Sequence, residues 1–177
     1  GEVFKGLAAF GAVLAAVYLF GFLRLNLAPS SETIRVAGIT AEPQDTYHKL
    51  RTEAPNAAAA RLVTQSHWDA FFIETVREAQ AGAQLIVWPE AAGFAWSADE
   101  AASFIAQAQE VARENEIYLA FGIAVIYPDP EQPYENKLLL IDPTGAIVLE
   151  HFKYGGAITE GNRIQGDRNR LTVTTPF

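Results

Sequence analysis

Neither cysteine nor methionine occurs among the 177 residues of this chain. Without cysteine, these residues supply no disulfide, no thiolate ligand for a metal ion and no thiol nucleophile. Basic residues are also few: 13 Lys and Arg stand against 21 Asp and Glu, so the net charge is −8. Because phosphate binding requires concentrated positive charge, this composition argues against nucleic acid as a partner.

The length and the share of apolar residues suit one ordinary globular domain. Half of the 177 residues are hydrophobic, which argues against a disordered chain. The chain opens with Gly1 and not with an initiator methionine, and the β-type run 171–177 stops abruptly on an aromatic residue. We therefore expect a piece of a longer protein, with more polypeptide on both sides.

Charged residues are absent from Gly6 to Leu23, a stretch that Lys5 and Arg24 bracket. As a helix, this stretch would be about 27 Å long, close to the thickness of a bilayer core. Three aromatic residues near its end resemble an interfacial belt: Tyr18, Phe20 and Phe22. The alternatives are a buried core helix or a signal peptide. We predict a transmembrane helix and linker over 1–28, with its orientation undecided because one basic residue lies at each end.

The remaining residues, 29–177, alternate between strand and helix patterns, and we predict one soluble domain there. Three strands alternate with two helices, and a hairpin follows: strands Ile34–Ile39, Gln84–Trp88 and Ile117–Ile126, helices from Asn56 to about Ala81 and from Ser97, and hairpin strands Lys137–Ile141 and Ala146–Glu150. The hairpin turn is Asp142-Pro143-Thr144-Gly145. This order predicts an α/β fold whose first half is a parallel sheet and whose second half adds antiparallel strands.

The first candidate for chemistry is Glu90. It follows a short apolar run and Pro89, which cannot donate a hydrogen bond to a sheet, so we expect Glu90 just past the end of a buried strand. The alternative is a solvated loop glutamate. The small and aromatic loop Ala91–Trp96 comes next, and it either lines an apolar pocket or contributes packing.

The second candidate is Lys153, which lies at the end of the outgoing hairpin strand, just before Gly155-Gly156. Glu160 follows in a loop that is polar and basic through Arg170. A lysine at a strand end is usually just solvated. His48 is alone in the loop 40–55, without a second ligand at metal-binding spacing, so the sequence predicts no metal site and no cofactor.

Taken in order, these features resemble the carbon–nitrogen hydrolase (nitrilase) superfamily. The resemblance rests on Glu90 after Trp88-Pro89, on Glu135-Asn136-Lys137, on Asp142-Pro143-x-Gly145 and on Lys153, and it covers about Ile34 to Phe177. With an apolar helix in front, the chain is most similar to the apolipoprotein N-acyltransferases of that superfamily. The resemblance implies a nitrilase-like αββα sandwich, present here in part as the N-terminal part of the domain and preceded by one transmembrane helix.

The resemblance also implies a catalytic Glu-Lys-Cys triad. Glu90 matches its glutamate, Lys153 matches its lysine, and Glu160 lies near a supporting glutamate, although its spacing from the lysine differs from the family pattern. The family's cysteine falls downstream of the stretch that 171–177 resembles, so these residues hold a base and an oxyanion group without the nucleophile. We expect Trp88 and Phe94 to desolvate Glu90 and thereby raise its pKa.

The implied reaction moves a fatty acyl group from a phospholipid to the cysteine, and then to the N-terminal amine of a lipoprotein. It implies contact with membrane lipids, at the extracytoplasmic (periplasmic) side of the cell membrane. Two alternatives stay open: a membrane-tethered amidase or nitrilase, in which water replaces the amine, and a non-catalytic, membrane-anchored binding module. The residue at the family's cysteine position would separate the enzymes from the module.

Overall fold

The computed structural model describes residues 1–27, 33–40, 57–90, 92–127, 129, 131–155 and 161–177. The chain divides into two units, 1–33 and 34–177. Its helices are α1 (Glu2–Leu27), α2 (Ala57–Gln80) and α3 (Ala98–Glu114). Its strands are β1 (Val36–Gly38), β2 (Leu85–Val87), β3 (Gly93–Ala95), β4 (Tyr118–Val125), β5 (Glu135–Ile141) and β6 (Ile147–Phe152).

The first unit consists mainly of helix α1, which contains the whole stretch from Gly6 to Leu23. Its segment Val3–Leu27 has a mean hydropathy of 2.1, and none of its most apolar window is buried. Arg24 lies in the last turn, where a positive charge complements the helix dipole. The helix is long and apolar enough to cross a membrane. Core helices and signal sequences share these properties, so the membrane span stays a prediction.

The second unit is built on one sheet with the strand order β1-β2-β4-β5-β6. Strands β1, β2 and β4 are parallel to one another, whereas β5 is antiparallel to both β4 and β6. This arrangement confirms the predicted α/β fold, with a parallel first half and an antiparallel hairpin. The strands are shorter than predicted at most ends.

Strand β3 was not expected, because the sequence predicts a loop over Ala91–Trp96. It pairs in parallel with the C-terminal half of β4. Strand β2 pairs with the N-terminal half along the same side of β4. Gly93 and Ala95 are buried within it. A three-residue strand that contains glycine has little intrinsic β-propensity, so the neighbouring strand determines its conformation.

Helices α2 and α3 cover one face of the sheet and pack against an aromatic cluster. Trp88 lies at its centre, with ring centroids 5.0 Å from Phe71, 5.2 Å from Phe72 and 5.4 Å from Phe121. The Trp88 indole N–H also donates a 2.9 Å hydrogen bond to Thr75 Oγ1. Phe71 and Thr75 come from α2, so this cluster fixes the helix layer against the strand that leads to Glu90.

The opposite face of the sheet is open among the described residues. Val36, Val87 and Leu138 lie on three different strands of this face, and each is more than a third exposed. The described residues thus form one helix layer and one sheet of the predicted αββα sandwich. The candidate site lies on this open face.

Local signals in the sequence account for the helix ends. Ser97 caps α3, because its side chain accepts a hydrogen bond from the Glu100 N–H at 3.2 Å. Glu100 Oε2 in turn accepts a hydrogen bond from the Trp96 N–H at 2.9 Å, so the predicted start of this helix at Ser97 is confirmed. Gly82 ends α2 with a φ of 91°, a conformation that favours glycine. Asn56, where the sequence predicts that α2 begins, lies outside the described residues.

The predicted hairpin turn is also confirmed. The Gly145 N–H donates to the Asp142 carbonyl at 2.9 Å, and Gly145 has a φ of 83°. Asp142 Oδ1 accepts further hydrogen bonds from the N–H groups of Thr144 and Ala146. The Thr144 hydroxyl also donates to Asp142 Oδ1, and this bond is the largest cause of the lowered pKa of Asp142, to which the two backbone bonds add. The turn sets the register that carries β6 back to Lys153.

Candidate active site

Glu90 lies in a break between two strands that occupy the same edge of β4. Strand β2 pairs with Tyr118–Ala120 and β3 pairs with Ile123–Val125, so the chain leaves the sheet opposite Phe121 and Gly122. Glu90 thus follows the end of strand β2, as expected, but it does not lie past the sheet as a whole, because β3 pairs with β4 further along. Pro89 follows the end of β2, and pairing with β4 begins again at β3. Glu90 lies between these two strands, beside the middle of β4.

Lys153 reaches the same place because the chain reverses direction twice. Strand β5 is antiparallel to β4, and β6 is antiparallel to β5, so β6 runs parallel to β2. The carboxyl ends of β2 and β6 therefore lie at the same edge of the sheet. The Lys153 N–H continues the ladder by donating to the Asn136 carbonyl at 2.8 Å. Sequence signals at two strand exits thus converge on one site.

A charged hydrogen bond joins the two predicted residues. Lys153 Nζ lies 2.7 Å from Glu90 Oε1, and Asn136 Nδ2 donates to the same oxygen at 2.9 Å. The side chain of Glu90 is 60% exposed and that of Lys153 is 32% exposed. The two residues that match the glutamate and lysine of the implied triad are therefore in contact, while their catalytic roles remain a prediction.

The electrostatic balance at Glu90 differs from the sequence-based expectation. The hydrogen bond from Lys153 lowers the pKa of Glu90, and the bond from Asn136 lowers it further. Desolvation acts in the opposite direction but is outweighed, because most of the carboxylate side chain faces solvent. The expected rise of the pKa is therefore wrong for this chain, and Glu90 is ionised at neutral pH.

The two aromatic residues expected to desolvate Glu90 are engaged elsewhere. Trp88 is 2% exposed and its ring packs in the helix-side core. The ring of Phe94 packs against Trp96, with centroids 5.7 Å apart. Strand β2 ends at Val87 and Pro89 follows, so Glu90 is outside the regular strand and its side chain need not lie on the same side as that of Trp88.

A cavity of about 240 Å³ lies beside the ion pair. Its lining combines charged, amide and apolar groups: Trp88, Glu90, Gly122, Asn136, Lys137, Leu138, His151 and Lys153. Gly122 contributes no side chain at the point where β2 and β3 are interrupted, which leaves room in front of the carboxylate. The cavity is slightly smaller than the usual range for small-molecule pockets, about 300–1,000 Å³.

A second ion network lies on the same strand as Asn136. Lys137 Nζ contacts Glu135 Oε2 and Glu150 Oε1, each at 2.8 Å. Burial opposes the charge on Lys137, but these two carboxylates raise its pKa overall. Tyr127 donates a 2.5 Å hydrogen bond to Glu135, and burial together with this bond raises the pKa of Tyr127 to about 12. The network fixes the start of β5, which presents Asn136 to Glu90.

Two residues at the site received no role from sequence reasoning. Asn136 belongs to the quoted family pattern, but only the structure shows its bond to Glu90. Arg163 is 6% exposed and donates to the Lys153 carbonyl. The sequence places Arg163 in a run that also contains Arg168 and Arg170, and no local signal distinguishes it from them.

Two other residues weighed in the sequence, Glu160 and His48, lie outside the described residues, so the predicted role of Glu160 has no geometry here. Within the described part of the chain, no group of three or more His, Asp and Glu side chains is placed to hold a metal ion.

Comparisons with known proteins give one family and one fold. The sequence model of the carbon-nitrogen hydrolase family matches residues 42–156. No curated protein matches the chain by sequence. Solved structures that match include an amidase from Nesterenkonia sp., with 18% identity and a TM-score of 0.55, covering 85% of this chain and 54% of the amidase.

Two mutants of the amidase from Nesterenkonia sp. AN1 match similarly. One, in complex with butyramide, has 20% identity and a TM-score of 0.57, covering 85% of this chain and 55% of the amidase. The other shows Michael addition of acrylamide at the active site cysteine, with 19% identity, a TM-score of 0.55 and coverage of 81% and 54%. This chain thus spans about half the length of these structures, and at such identity the likeness is one of fold.

Proposed function

Because the chain belongs to the carbon-nitrogen hydrolase family, we propose that Glu90 and Lys153 are the base and the oxyanion-stabilising group of a Glu-Lys-Cys site that cleaves a carbon–nitrogen bond. The observation that carries the proposal is the 2.7 Å contact between Lys153 Nζ and Glu90 Oε1 beside a small cavity. The nucleophilic thiol comes from polypeptide outside these 177 residues, which contain no cysteine.

The reaction begins with proton transfer from the thiol to Glu90. The resulting thiolate attacks the carbonyl carbon of an amide, and the Lys153 ammonium stabilises the negative oxygen that forms. Collapse of this intermediate expels the amine, which takes the proton from Glu90 and leaves a thioester. Water then attacks the thioester, with Glu90 again accepting a proton, and the acid is released as the thiol regains its hydrogen.

The hydrogen bonds at Glu90 assign different tasks to its two oxygens. Lys153 and Asn136 both donate to Oε1. Among the described residues, none donates a hydrogen bond to Oε2. We therefore assign the proton of the thiol to Oε2, which accepts no hydrogen bond within the described part of the chain. The lowered pKa of Glu90 keeps the carboxylate ionised at neutral pH, which is the state that accepts a proton.

N-acyl transfer is a second candidate, favoured by helix α1. The apolar segment Val3–Leu27 would hold the site at a lipid surface, where a phospholipid is the acyl donor and a lipoprotein amine replaces water. In this reaction the domain faces the extracytoplasmic side, and Glu160 supports the triad. The names of the matching structures favour the amidase, so the hydrolytic reaction is the first choice.

The test uses the protein that contains this chain together with its downstream sequence. Glu90→Gln removes the base but keeps the shape of the side chain, so activity should fall by about a hundredfold or more. Glu110→Gln is the matched control, because the side chain of Glu110 is 47% exposed and forms a surface ion pair with Arg113. Glu160→Gln should also reduce activity if Glu160 supports the triad.

Assays of amide hydrolysis and of lipoprotein acylation, run in parallel, distinguish the two enzymes. Equal activity of the Glu90→Gln and Glu110→Gln proteins would contradict the role of Glu90. A serine or alanine at the family's cysteine position would overturn both enzymatic proposals and leave the binding module.

A further inference from the structure

Arg163 is a buried arginine close to the ion pair. Its relative exposure is 6%, although arginine is rarely buried unless its charge is compensated. Its Nη1 donates to the Lys153 carbonyl at 2.5 Å, and its Nη2 donates to the Gly155 carbonyl. One guanidinium therefore bridges two backbone oxygens on either side of Tyr154. A planar group with donors in fixed directions is suited to this task, and a lysine is not.

The backbone of Lys153 is held from three directions. Its N–H donates to the Asn136 carbonyl at 2.8 Å, and its carbonyl accepts from Arg163 and from the Gly166 N–H at 3.1 Å. With both backbone polar groups of Lys153 engaged, the starting point of its side chain is fixed relative to β5. The ammonium group then reaches Glu90 from a defined position.

The segment that carries Arg163 is itself attached to β5. The Tyr134 N–H donates to the Asn162 carbonyl at 3.0 Å, and the Ile164 N–H donates to the Tyr134 carbonyl at 2.9 Å. These bonds form a parallel bridge between Tyr134 and Arg163. Tyr134 lies two residues before Asn136, so one short stretch of chain positions both the partner of Glu90 and the clamp on Lys153.

The close approach of this segment depends on Gly166. A Cβ atom at Gly166 would lie 1.9 Å from the Phe152 carbonyl oxygen, which is backbone and cannot move independently. The segment therefore lies directly against the end of β6, and Arg163 is close enough to bind the carbonyl groups of Lys153 and Gly155.

We propose that Arg163 is the positioning residue for Lys153, fixing the lysine backbone so that its ammonium group meets Glu90 Oε1. The effect of Arg163 on catalysis rests on the proposed function. Its effect on the position of Lys153 does not, because it depends only on contacts within this chain. A merely structural arginine would affect stability and, apart from the direct effect of its charge, would leave the electrostatic state of Glu90 unchanged. The titration midpoint of Glu90 therefore distinguishes a positioning role of Arg163 from a purely structural role.

The experiment measures the titration midpoint of Glu90 by carbon NMR on the full chain in mild detergent, with Glu90→Gln identifying the signal. Arg163→Met and Arg163→Lys are compared with Arg168→Met. Arg168 is a suitable control because it contacts Tyr154, next to Lys153, through an exposed side chain. We expect both Arg163 variants to raise the midpoint by roughly half a unit or more, a fraction of what an opposite charge in contact contributes.

Arg163→Lys separates positioning from the direct effect of charge. A lysine keeps the positive charge, which itself lowers the pKa of Glu90 slightly, but it cannot bridge two carbonyls. A rise of the midpoint in both variants supports positioning. A rise in Arg163→Met alone, or in neither, overturns it. If Arg163→Met does not fold, the milder Arg163→Lys decides the question.

Lys153 provides an independent readout, because the chain has only four lysines. If Lys153 is released from Glu90, the rate of reductive methylation of Lys153 should increase several-fold in both Arg163 variants. The rate should stay the same in Arg168→Met. An unchanged rate in the Arg163 variants would contradict the proposal. In the longer protein, Arg163→Lys should lower kcat more than it changes KM. If the longer protein shows no thiol-dependent activity at all, the proposed function fails, and the titration still decides the role of Arg163.

Discussion

Glu90 Oε1 and Lys153 Nζ lie 2.7 Å apart although 63 positions separate the two residues. The contact exists because β2 breaks off beside β4, while β6 returns in the same direction after two reversals. The pair is partly solvated, so it acts mainly by setting the charge state of the site and little by stabilising the fold.

Replacing Lys153 with methionine should raise the pKa of Glu90 toward its ordinary value of 4.5, because the bond from Lys153 is the largest cause of the lowering. The midpoint is measurable by carbon NMR. Lys137→Met is the control, since Lys137 pairs with Glu135 and Glu150 instead. An unchanged midpoint in Lys153→Met, or an equal rise in Lys137→Met, would contradict the assignment.

The lowered pKa of Glu90 also determines how its contribution to the free energy of unfolding changes with pH. Since folding lowers the pKa of Glu90, its stabilising contribution is present above the unfolded pKa and disappears as the pH falls through the folded value. The difference in the free energy of unfolding between the native chain and Glu90→Gln should therefore shrink below about pH 4. Urea unfolding at pH 3 and pH 7 measures this. A difference that grows on acidification would reverse the sign.

The sequence predicted a parallel first half, an antiparallel hairpin and both residues of the ion pair, because a proline after an apolar run and a lysine after a hairpin strand are local signals. It did not predict the direction of the pKa shift of Glu90. That direction depends on the hydrogen bonds from Lys153 and Asn136 and on solvent exposure, and all of these follow from tertiary packing. Strand β3 was missed for a similar reason, since its pairing with β4 determines it.

Arg163 shows where local reasoning fails. Three arginines follow Glu160 within ten residues, and their local sequence contexts are similar in polarity. Arg163 is buried, whereas Arg168 forms an exposed contact with Tyr154. The difference comes from the bridge to Tyr134, a contact across 29 positions that has no periodic signature.

Thr75→Val should destabilise the chain by about 1–3 kcal/mol, because it leaves the buried indole N–H of Trp88 without its acceptor. Valine nearly matches threonine in shape, so the loss reports the hydrogen bond and not a cavity. Thr75→Ser should restore much of the stability. Urea unfolding in mild detergent, followed by tryptophan fluorescence, gives the values. Thr172→Val on the surface is the control, and equal stability of the two valine variants would contradict the prediction.

Gly93→Ala should cost about 1–3 kcal/mol through overpacking. A Cβ atom there would lie 2.7 Å from Phe104 Cε1 and 3.1 Å from a side-chain carbon of Ile123. Phe104 is 1% exposed and cannot turn away without displacing the aromatic cluster around Trp88. Gly38→Ala, also in a strand, has no atom within 4 Å of its added Cβ and serves as the control. Thermal unfolding compares them, and a loss at Gly38 as large as at Gly93 would contradict the packing argument.

Deleting residues 1–28 should release the chain from membranes, because the segment Val3–Leu27 is apolar and unburied. Each charged residue at the centre of a membrane helix costs roughly 2.5–3.5 kcal/mol on insertion scales, so Val13→Lys together with Val17→Lys should weaken the association without removing the helix. Membrane fractionation with carbonate extraction measures both effects, and mass spectrometry of the N-terminus distinguishes an anchor, which is retained, from a signal sequence, which is removed. Carbonate-resistant association that persists without residues 1–28 would show that the helix is not the anchor.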